Sequence, residues 1–190
     1  MHRLILASAS PQRRGLLRDL HIPFTVSPAR VSERSTETRP RKLVDLLALR
    51  KARAVAAKNP GTLVLGADTI VVLRGAILGK PRDLADCRRI LAGLNGRWHR
   101  VYTGVALVDA DTGRCWREVA VSRVKARALP DAHLERLVGR HMDKAGAYAV
   151  QDADDPFVER IVGPFDNVIG LPLASVRRLL KRASAVRRRP

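Results

Sequence analysis

Three charged residues stand where the neighbouring sequence is apolar or tightly turned, which makes them candidates for chemistry. Asp68 interrupts the apolar run 62–73, where a carboxylate is costly to bury unless it meets a cation, a metal or several N–H donors. Lys51 has apolar residues three and four positions away along a predicted helix. Lys80 lies between a glycine and a proline that fix the backbone and let an anion approach closely. Together they could bind and polarise an anionic substrate.

Each of these residues also has an ordinary structural interpretation. An aspartate followed by threonine can simply end a strand. Lys51 can extend its stem along the apolar stripe so that its ammonium reaches water, and Lys80 can occupy a surface turn. From the residues alone, both interpretations stay open.

A polar cluster follows the first predicted strand. Its hydroxyls, guanidinium groups and free helix N–H groups could grip a triphosphate, and its members are Ser8, Ser10, Gln12, Arg13 and Arg14. The alternative is a capped helix with exposed arginines.

The elements that must position these residues follow from apolar periodicity and turn residues. The predicted strands are 3–8, 24–26, 62–73 with a hairpin into 76–78, two runs within 97–129 joined by the turn DADTG, and 157–162. The predicted helices are 12–20, 40–58, 83–91, 131–140 and 175–183. Because hairpins interrupt any steady alternation of strand and helix, the pattern favours an α/β fold with a mixed central sheet flanked by helices.

Length and composition predict one domain over 1–183, followed by a basic disordered tail at 184–190. A chain of 190 residues suits a single α/β domain or two small lobes that share a sheet. The apolar start of the chain is too short for a signal peptide or a membrane span, so we expect a cytoplasmic protein. Cys87 and Cys115 are isolated and are interpreted as ordinary thiols.

A net charge of +18 raises the question of nucleic-acid binding. The 36 basic residues include 29 arginines spread over the whole length, and only two tryptophans are present to stack on bases. This spread is typical of a solvated surface, so the sequence argues against a dedicated nucleic-acid groove. The charge still favours anionic substrates.

Six short motifs occur in a specific order, namely SASPQRR, LALRKA, GADT, GKP, DKAGAY followed by Gln151, and NVIGLP. This ordered set resembles the Maf family of nucleotide pyrophosphatases over nearly the whole chain, from about residue 3 to residue 181. The resemblance implies an inosine triphosphatase-like fold with two lobes around a cleft, a divalent metal (Mg²⁺, with Mn²⁺ as the alternative), frequent homodimers, and release of pyrophosphate from nucleotides. Related proteins have been linked to arrest of septum formation.

The resemblance also implies roles for individual residues. Asp68 would be the catalytic base, or a metal ligand that orients water, and Glu33 would join it at the metal. The cations that would neutralise the phosphates are Lys51, Lys80 and Arg13. The remaining substrate contacts would come from Ser8, Gln12, Thr69 and Gln151. This set is coherent, because phosphoryl chemistry depends on positioned charge more than on a protein nucleophile.

The motifs GADT and DKAGAY are similar to those of the family branch that acts on dTTP and UTP. Thr69, Lys144 and Gln151 carry that similarity. The departures are Gln12 where relatives often have arginine, Gly15 where they often have glutamate, and Asp152 where they often have glycine. Two alternative functions stay open: a pyrophosphatase for deaminated purine nucleotides such as ITP, and a basic nucleic-acid-binding or division-regulating protein without turnover.

Overall fold

The computed structural model describes residues 3–152 and 154–187. Its strands are β1 Arg3–Leu6, β2 Phe24–Val26, β3 Thr62–Leu73, β4 Ala76–Leu78, β5 Trp98–Asp109, β6 Cys115–Ala126 and β7 Val158–Val162. Its α-helices are α1 Pro11–Arg18, α2 Pro40–Ala56, α3 Leu84–Leu94, α4 Asp131–Leu137, α5 Phe165–Ile169 and α6 Leu173–Arg187. A short 3₁₀ turn spans Ala145–Ala147. Every predicted strand and helix is present in the predicted order, whereas α5 and the 3₁₀ turn were not predicted.

The strands form one mixed sheet with the order β2-β1-β3-β5-β6-β7, and β4 pairs with β3. Strand β1 is parallel to both β2 and β3, whereas β3 with β4 and β6 with β7 are antiparallel pairs. The Arg74-Gly75 turn between β3 and β4 uses positive φ angles of 49° and 86°, a conformation that glycine adopts at little cost. The predicted mixed α/β sheet is therefore confirmed.

The chain divides into two compact units. Unit 1 contains the chain up to Asp68, Thr103–Ala120 and the chain from Gly170 onward, and unit 2 contains Thr69–Tyr102 and Val121–Ile169. Strands β3, β5 and β6 each contribute residues to both units.

Unit 1 has apolar clusters on both faces of its sheet, because successive strand residues point to opposite sides. One cluster joins alternate residues of β1 and β3 to α1 and α6, and includes Leu4, Leu6, Leu65, Leu17 and Leu179. The other joins the intervening strand residues to α2, and includes Ile5, Val64, Ala48, Ala52 and Val55. Helix α2 is thus held directly against the strand that carries Asp68.

Unit 2 packs α3 and α4 against its sheet around an apolar cluster. Its buried members include Val71, Ile90, Leu94, Val124 and Phe157. Helix α3 begins after Asp83, whose carboxylate accepts a hydrogen bond of 2.7 Å from the backbone N–H of Asp86.

Helix α6 corrects the expectation of a disordered tail from residue 184. The helix continues to Arg187, so residues 184–187 are helical, while residues 188–190 lie outside the described residues. The reason is that the apolar stripe does not end at Ala183, since Val186 also packs against the cluster of α1 and α6. Among the described residues, no helix combines the length and apolar character that a bilayer-spanning segment requires.

Candidate active site

Asp68 lies within β3, in the interval between two strand pairings. The pairing of β3 with β1 ends at Leu65, and its pairing with β4 begins at Val71. The Asp68 residue is only 5% exposed. A carboxylate at such a place needs a partner of opposite charge or strong hydrogen-bond donors.

Lys51 supplies that partner from α2. Its Nζ lies 2.6 Å from Oδ1 of Asp68 and 2.6 Å from Oε1 of Glu33. The side chains of Lys51 and Asp68 are 11% and 7% exposed, whereas that of Glu33 is 54% exposed. One ammonium therefore joins a buried and a half-exposed carboxylate, and it does not extend into water as a snorkelling lysine would.

Gly66 determines how closely Lys51 can approach Asp68. A Cβ atom at Gly66 would lie 2.3 Å from the carbonyl oxygen of Ala48 and 2.8 Å from the backbone nitrogen of Ala52. Only a residue without a side chain lets the backbones of β3 and α2 come this close. The glycine of the GADT motif thus sets the distance between the helix and the strand.

Glu33 belongs to the loop between β2 and α2, and Arg50 of α2 holds that loop. The Nη1 atom of Arg50 donates hydrogen bonds of 2.7 Å and 2.9 Å to the carbonyl oxygens of Ser32 and Arg34. These two carbonyls flank Glu33 in the chain. The sequence offered no signal for this contact, because an arginine on a helix usually faces solvent.

Arg13 reaches the same region from α1. Its Nε donates to the carbonyl of Gly170 at 2.9 Å, and its Nη1 donates to the carbonyl of Ala67 at 3.0 Å. Nη1 also lies 3.4 Å from Oγ of Ser8. Ala67 immediately precedes Asp68, so Arg13 fixes the backbone beside the carboxylate as well as bringing positive charge to it.

The start of α1 places the remaining polar residues of the first motif. Oγ of Ser10 accepts a hydrogen bond of 3.3 Å from the backbone N–H of Arg13 and donates one of 3.0 Å to Oε1 of Gln12. Oγ of buried Ser8 accepts a hydrogen bond of 3.2 Å from the N–H of Ser10. Ser10 is the N-cap of α1, and the predicted capped helix is present together with the polar cluster.

The electrostatics of the site favour a proton acceptor at Asp68. Burial raises the pKa of the Asp68 carboxyl above its ordinary value, Lys51 and Arg13 act in the opposite direction, and Glu33 raises it further. Burial lowers the pKa of the Arg13 guanidinium, although Asp68 and Glu33 oppose that change. A buried carboxylate with a raised pKa has more affinity for a proton than an ordinary aspartate.

The other predicted site residues belong to unit 2. Thr69 follows Asp68 in β3 and is partly buried. Lys80 is exposed just after β4, and Gln151 is exposed in a turn before β7. Nζ of Lys144 binds the carboxylate of Asp143 at 2.9 Å. Unit 1 therefore contains Ser8, Gln12, Arg13, Glu33, Lys51 and Asp68, whereas Thr69, Lys80, Lys144 and Gln151 belong to unit 2.

The DKAGAY motif has a structural basis within unit 2. Gly146 has φ of 79°, and a Cβ there would lie 3.0 Å from Cγ2 of Val71 and 3.0 Å from Cε1 of Tyr148. Its N–H donates to the carbonyl of Gly79 at 3.2 Å. Glycine is needed there for both space and backbone conformation, and the motif contacts the segment that carries Lys80.

The donor set can be tested against the metal that the family resemblance implies. Within residues 3–152 and 154–187, no group of three or more His, Cys, Asp or Glu side chains is placed to hold a metal ion. Two carboxylates do converge on one cation, those of Glu33 and Asp68. Mg²⁺ commonly binds one or two protein carboxylates together with substrate phosphates. The donor set therefore fits a metal that binds with a phosphorylated substrate.

Comparison with known proteins agrees with the motifs. The family model described as "Maf-like protein" matches residues 3–183. A dTTP/UTP pyrophosphatase from Elusimicrobium minutum is 45% identical over 179 residues, which cover 94% of this chain and 97% of the relative. Proteins with the same name from Moorella thermoacetica and Symbiobacterium thermophilum are 48% and 47% identical, covering 95% and 91% of this chain and 94% and 90% of the relatives.

A solved nucleoside-triphosphatase (dITP/XTP pyrophosphatase) structure from Mycobacterium abscessus is 17% identical with a TM-score of 0.47, covering 96% of this chain and 98% of that chain. That similarity is too low to bear on fold or substrate. The family match and the identities of the named relatives extend over nearly the whole length, including every motif around Asp68. The chain belongs to the Maf family.

Proposed function

We propose that this protein hydrolyses dTTP and UTP to the nucleoside monophosphate and pyrophosphate. The observation that carries the proposal is the ammonium of Lys51 held between Glu33 and Asp68, with Arg13 behind Asp68. The choice of nucleotide rests on the relatives named dTTP/UTP pyrophosphatase and on the GADT and DKAGAY motifs.

In the proposed reaction, a water oxygen forms a bond to the α-phosphorus, and the bond from that phosphorus to the oxygen bridging the α- and β-phosphates breaks. Asp68 accepts the proton of the water, as its burial and raised pKa suit it to do. Pyrophosphate leaves with the bridging oxygen. The protein needs no covalent nucleophile, because the substrate itself carries the leaving group.

The cations have two different tasks. Lys51 compensates the charge of the carboxylates and is within reach of a phosphate bound beside them. Arg13 already donates to two backbone carbonyls, so we infer that it positions the backbone next to Asp68 and offers its remaining donor capacity to a phosphate. Ser8 and Gln12 lie at the start of α1, where helix N–H groups attract anions.

Glu33 would hold the divalent metal, Mg²⁺ or Mn²⁺, and Asp68 would either act as the base or join Glu33 as a metal ligand that orients the water. Such an ion neutralises the charge that develops on the phosphates during the displacement. We further propose that Lys80 contacts the phosphates and that Thr69 and Gln151 contact the nucleotide, as their positions in the family motifs imply.

A nucleotide panel tests the substrate. Pyrophosphate release would be measured with dTTP, UTP, CTP, GTP, ITP and XTP, each in the presence of Mg²⁺, of Mn²⁺ and of EDTA. We expect dTTP and UTP to be cleaved with the highest kcat/KM and EDTA to abolish turnover. Faster cleavage of ITP or XTP would replace the pyrimidine assignment with that of a purine-cleaning enzyme.

Asp68→Asn tests whether turnover depends on this site. Removal of the base should lower kcat by at least about a hundredfold, with the far-UV circular dichroism unchanged. Asp45→Asn is a matched control. Asp45 lies on the same helix as Lys51, and its carboxylate forms an ion pair of 3.0 Å with Arg117 of β6. If both variants kept wild-type turnover, the catalysis would lie elsewhere. If the wild type bound nucleotide without turnover, the protein would be a sensor.

A further inference from the structure

The sheet of unit 2 has one face that its helices leave open. Alternate residues of β5, β6 and β7, such as Val101, Val124 and Ile161, point into the apolar cluster with α3 and α4. The residues between them point the other way. We call this outward surface the basic sheet face and define it by Trp98, Arg100, Arg123, Lys125, Arg160 and Val162.

Strand register places these six residues side by side. Arg123 pairs with Val162, and Lys125 pairs with Arg160. Strand β5 joins from the other side, since the N–H of Ala126 donates to the carbonyl of Arg97 at 3.0 Å. The guanidinium carbon of Arg123 lies 4.8 Å from the centroid of the Trp98 ring, which brings the two strands' outward side chains into contact.

The basic sheet face is strongly positive and is exposed apart from half-buried Lys125, whose Nζ donates a hydrogen bond of 2.6 Å to the carbonyl of Gly96 and keeps two further N–H donors. Trp98 is 39% exposed and Val162 is 45% exposed, and the three arginines are exposed as well. The strand segments 98–102, 121–126 and 158–162 carry four cations against one carboxylate, that of Glu159. In the part of the chain that the structure describes, Arg100, Arg123 and Arg160 form no ion pair.

The combination of separated cations with an exposed indole selects one kind of ligand. A single-stranded nucleic acid offers a phosphate at every nucleotide and a base that stacks on an aromatic ring or a guanidinium plane. A second copy of this face would meet it with like charge, which is repulsive. An acidic peptide would satisfy the cations but would leave Trp98 and Arg123 without a flat partner.

We propose that the basic sheet face binds single-stranded nucleic acid, with a base stacked on the Trp98 and Arg123 pair and phosphates bound by Arg100, Lys125 and Arg160. The width of three strands matches about two to three nucleotides. This site shares no residue with the one around Asp68. Sequence inspection argued against such a site because the arginines are scattered along the chain, but the strand register gathers residues that are up to about sixty positions apart.

Fluorescence anisotropy of a fluorescein-labelled short oligouridylate and of the matching oligothymidylate tests the proposal. Trp98→Ala should weaken binding by at least about fivefold, as loss of one stacked base does. Arg100→Glu with Arg160→Glu should weaken binding further and reduce the slope of log K against log salt by about 1.4, since each of the two phosphate contacts contributes roughly 0.7. The matched control is Arg53→Glu with Arg177→Glu, two exposed arginines of α2 and α6.

Intrinsic fluorescence gives a second measurement. Trp98 is exposed while Trp116 is 7% exposed, so a Trp116→Phe protein reports on Trp98. We expect the oligonucleotide to quench that emission. Pyrophosphate release and circular dichroism should be unchanged in the Trp98 and arginine variants, which separates loss of this site from misfolding and from failure of the proposed enzyme activity.

Four results would overturn the proposal. Equal loss of binding in the control pair would mean diffuse attraction to a cationic surface. If polyglutamate competed for the face as well as an unlabelled oligonucleotide does, the ligand would be an acidic protein. If UTP displaced the labelled oligonucleotide, the oligonucleotide would be bound at the triphosphate site. A dimer that dissociates in Arg123→Glu, measured by sedimentation velocity, would mean that the face is a contact between copies of this chain.

Discussion

Arg50 contributes to the candidate site through the backbone. It binds the carbonyls on both sides of Glu33, at 2.7 Å and 2.9 Å, and thereby limits where the Glu33 carboxylate can point. Glu33 itself is half exposed and would otherwise sample many rotamers. We infer that Arg50 is a positioning residue for Glu33.

Arg50→Met should lower kcat/KM by about tenfold, because Glu33 would no longer be held beside Lys51. Arg50→Lys should recover part of the loss, since the ammonium keeps hydrogen-bond donors but does not reproduce the reach and planar geometry of the guanidinium. Steady-state kinetics over a range of Mg²⁺ concentrations should show that more metal is needed for half-maximal activity. Arg53→Met on the same helix is the control, and an equal loss in that variant would indicate general damage to α2.

At the scale of single residues, the strongest sequence signals came from residues that violate a local rule. Asp68 and Lys51 stand out because charge is placed among apolar residues, and they meet at 2.6 Å in the structure. Glu33 lies in a polar loop where nothing marks it, and only the resemblance to the family pointed to it. Arg50 was missed because its partners are backbone carbonyls of a distant loop, and backbone groups leave no trace in a sequence pattern.

The contact between α2 and β3 is the element on which the site depends. Gly66 in β3 and Gly104 in β5 both touch the backbone of α2, since a Cβ at either position would lie 2.3 Å from a carbonyl oxygen of that helix. The helix therefore rests on the sheet at backbone contact distance. Any added atom at Gly66 must move the helix, and Lys51 with it.

Gly66→Ala should destabilise the protein by about 1 to 3 kcal/mol, the usual cost of overpacking a core. It should also lower kcat/KM, because Lys51 would move away from Asp68. Gly15→Ala is the matched control, since that helical position has no heavy atom within 4 Å of an added Cβ. The control should gain up to about 1 kcal/mol from helix propensity. Chemical denaturation measures both, and a stable, fully active Gly66→Ala protein would contradict the proposed close contact.

A buried histidine makes the stability of unit 2 depend on pH. Nε2 of His99 lies 2.8 Å from the hydroxyl of Tyr148, and burial lowers the pKa of His99 to about 4. Between that value and the ordinary 6.5, the unfolded state binds more protons than the folded state, so stability falls as the pH is lowered. The loss should approach about 3 kcal/mol near pH 4.

Urea unfolding of wild type and His99→Gln at several pH values between 4 and 7 isolates this contribution. The variant should lose less stability on acidification, while His141, whose pKa burial also lowers, is present in both proteins. Parallel pH profiles would show that His99 does not titrate differently in the two states.

On the scale of the whole molecule, the last turns of α6 belong to the folded protein. Truncation after Ala183 removes Val186 from its apolar cluster and should cost about 1 kcal/mol, or a few degrees in Tm. Turnover should be unchanged, because no residue of the candidate site contacts 184–187 among the described hydrogen bonds. Differential scanning fluorimetry and kinetics check the two parts, and Val186→Ser in the full chain should reproduce most of the thermal shift.

The fold was largely predictable because its signals are local. Apolar periodicity, Pro40 at a helix start and the Arg74-Gly75 turn each specify an element without reference to the rest of the chain. The strand order was not predictable, since β1 pairs with β3 across a helix, a strand and the long α2. The prediction of disorder was wrong for residues 184–187, because the single apolar residue Val186 gave little periodic signal among charged neighbours.

The path of the chain through its two units limits how this protein can be divided or recombined. The chain leaves unit 1 after Asp68, returns at Thr103, leaves again after Ala120 and returns at Gly170, so neither unit is a contiguous stretch. No contiguous gene fragment therefore encodes either unit alone. Recombination with the gene of a relative at a single crossover would combine strands from two different proteins within each unit. Asp68 and Thr69 stand at the first of these passages, which means that two neighbouring codons link the proposed base to the proposed nucleotide contact. Such an arrangement favours inheritance of the whole chain as one piece.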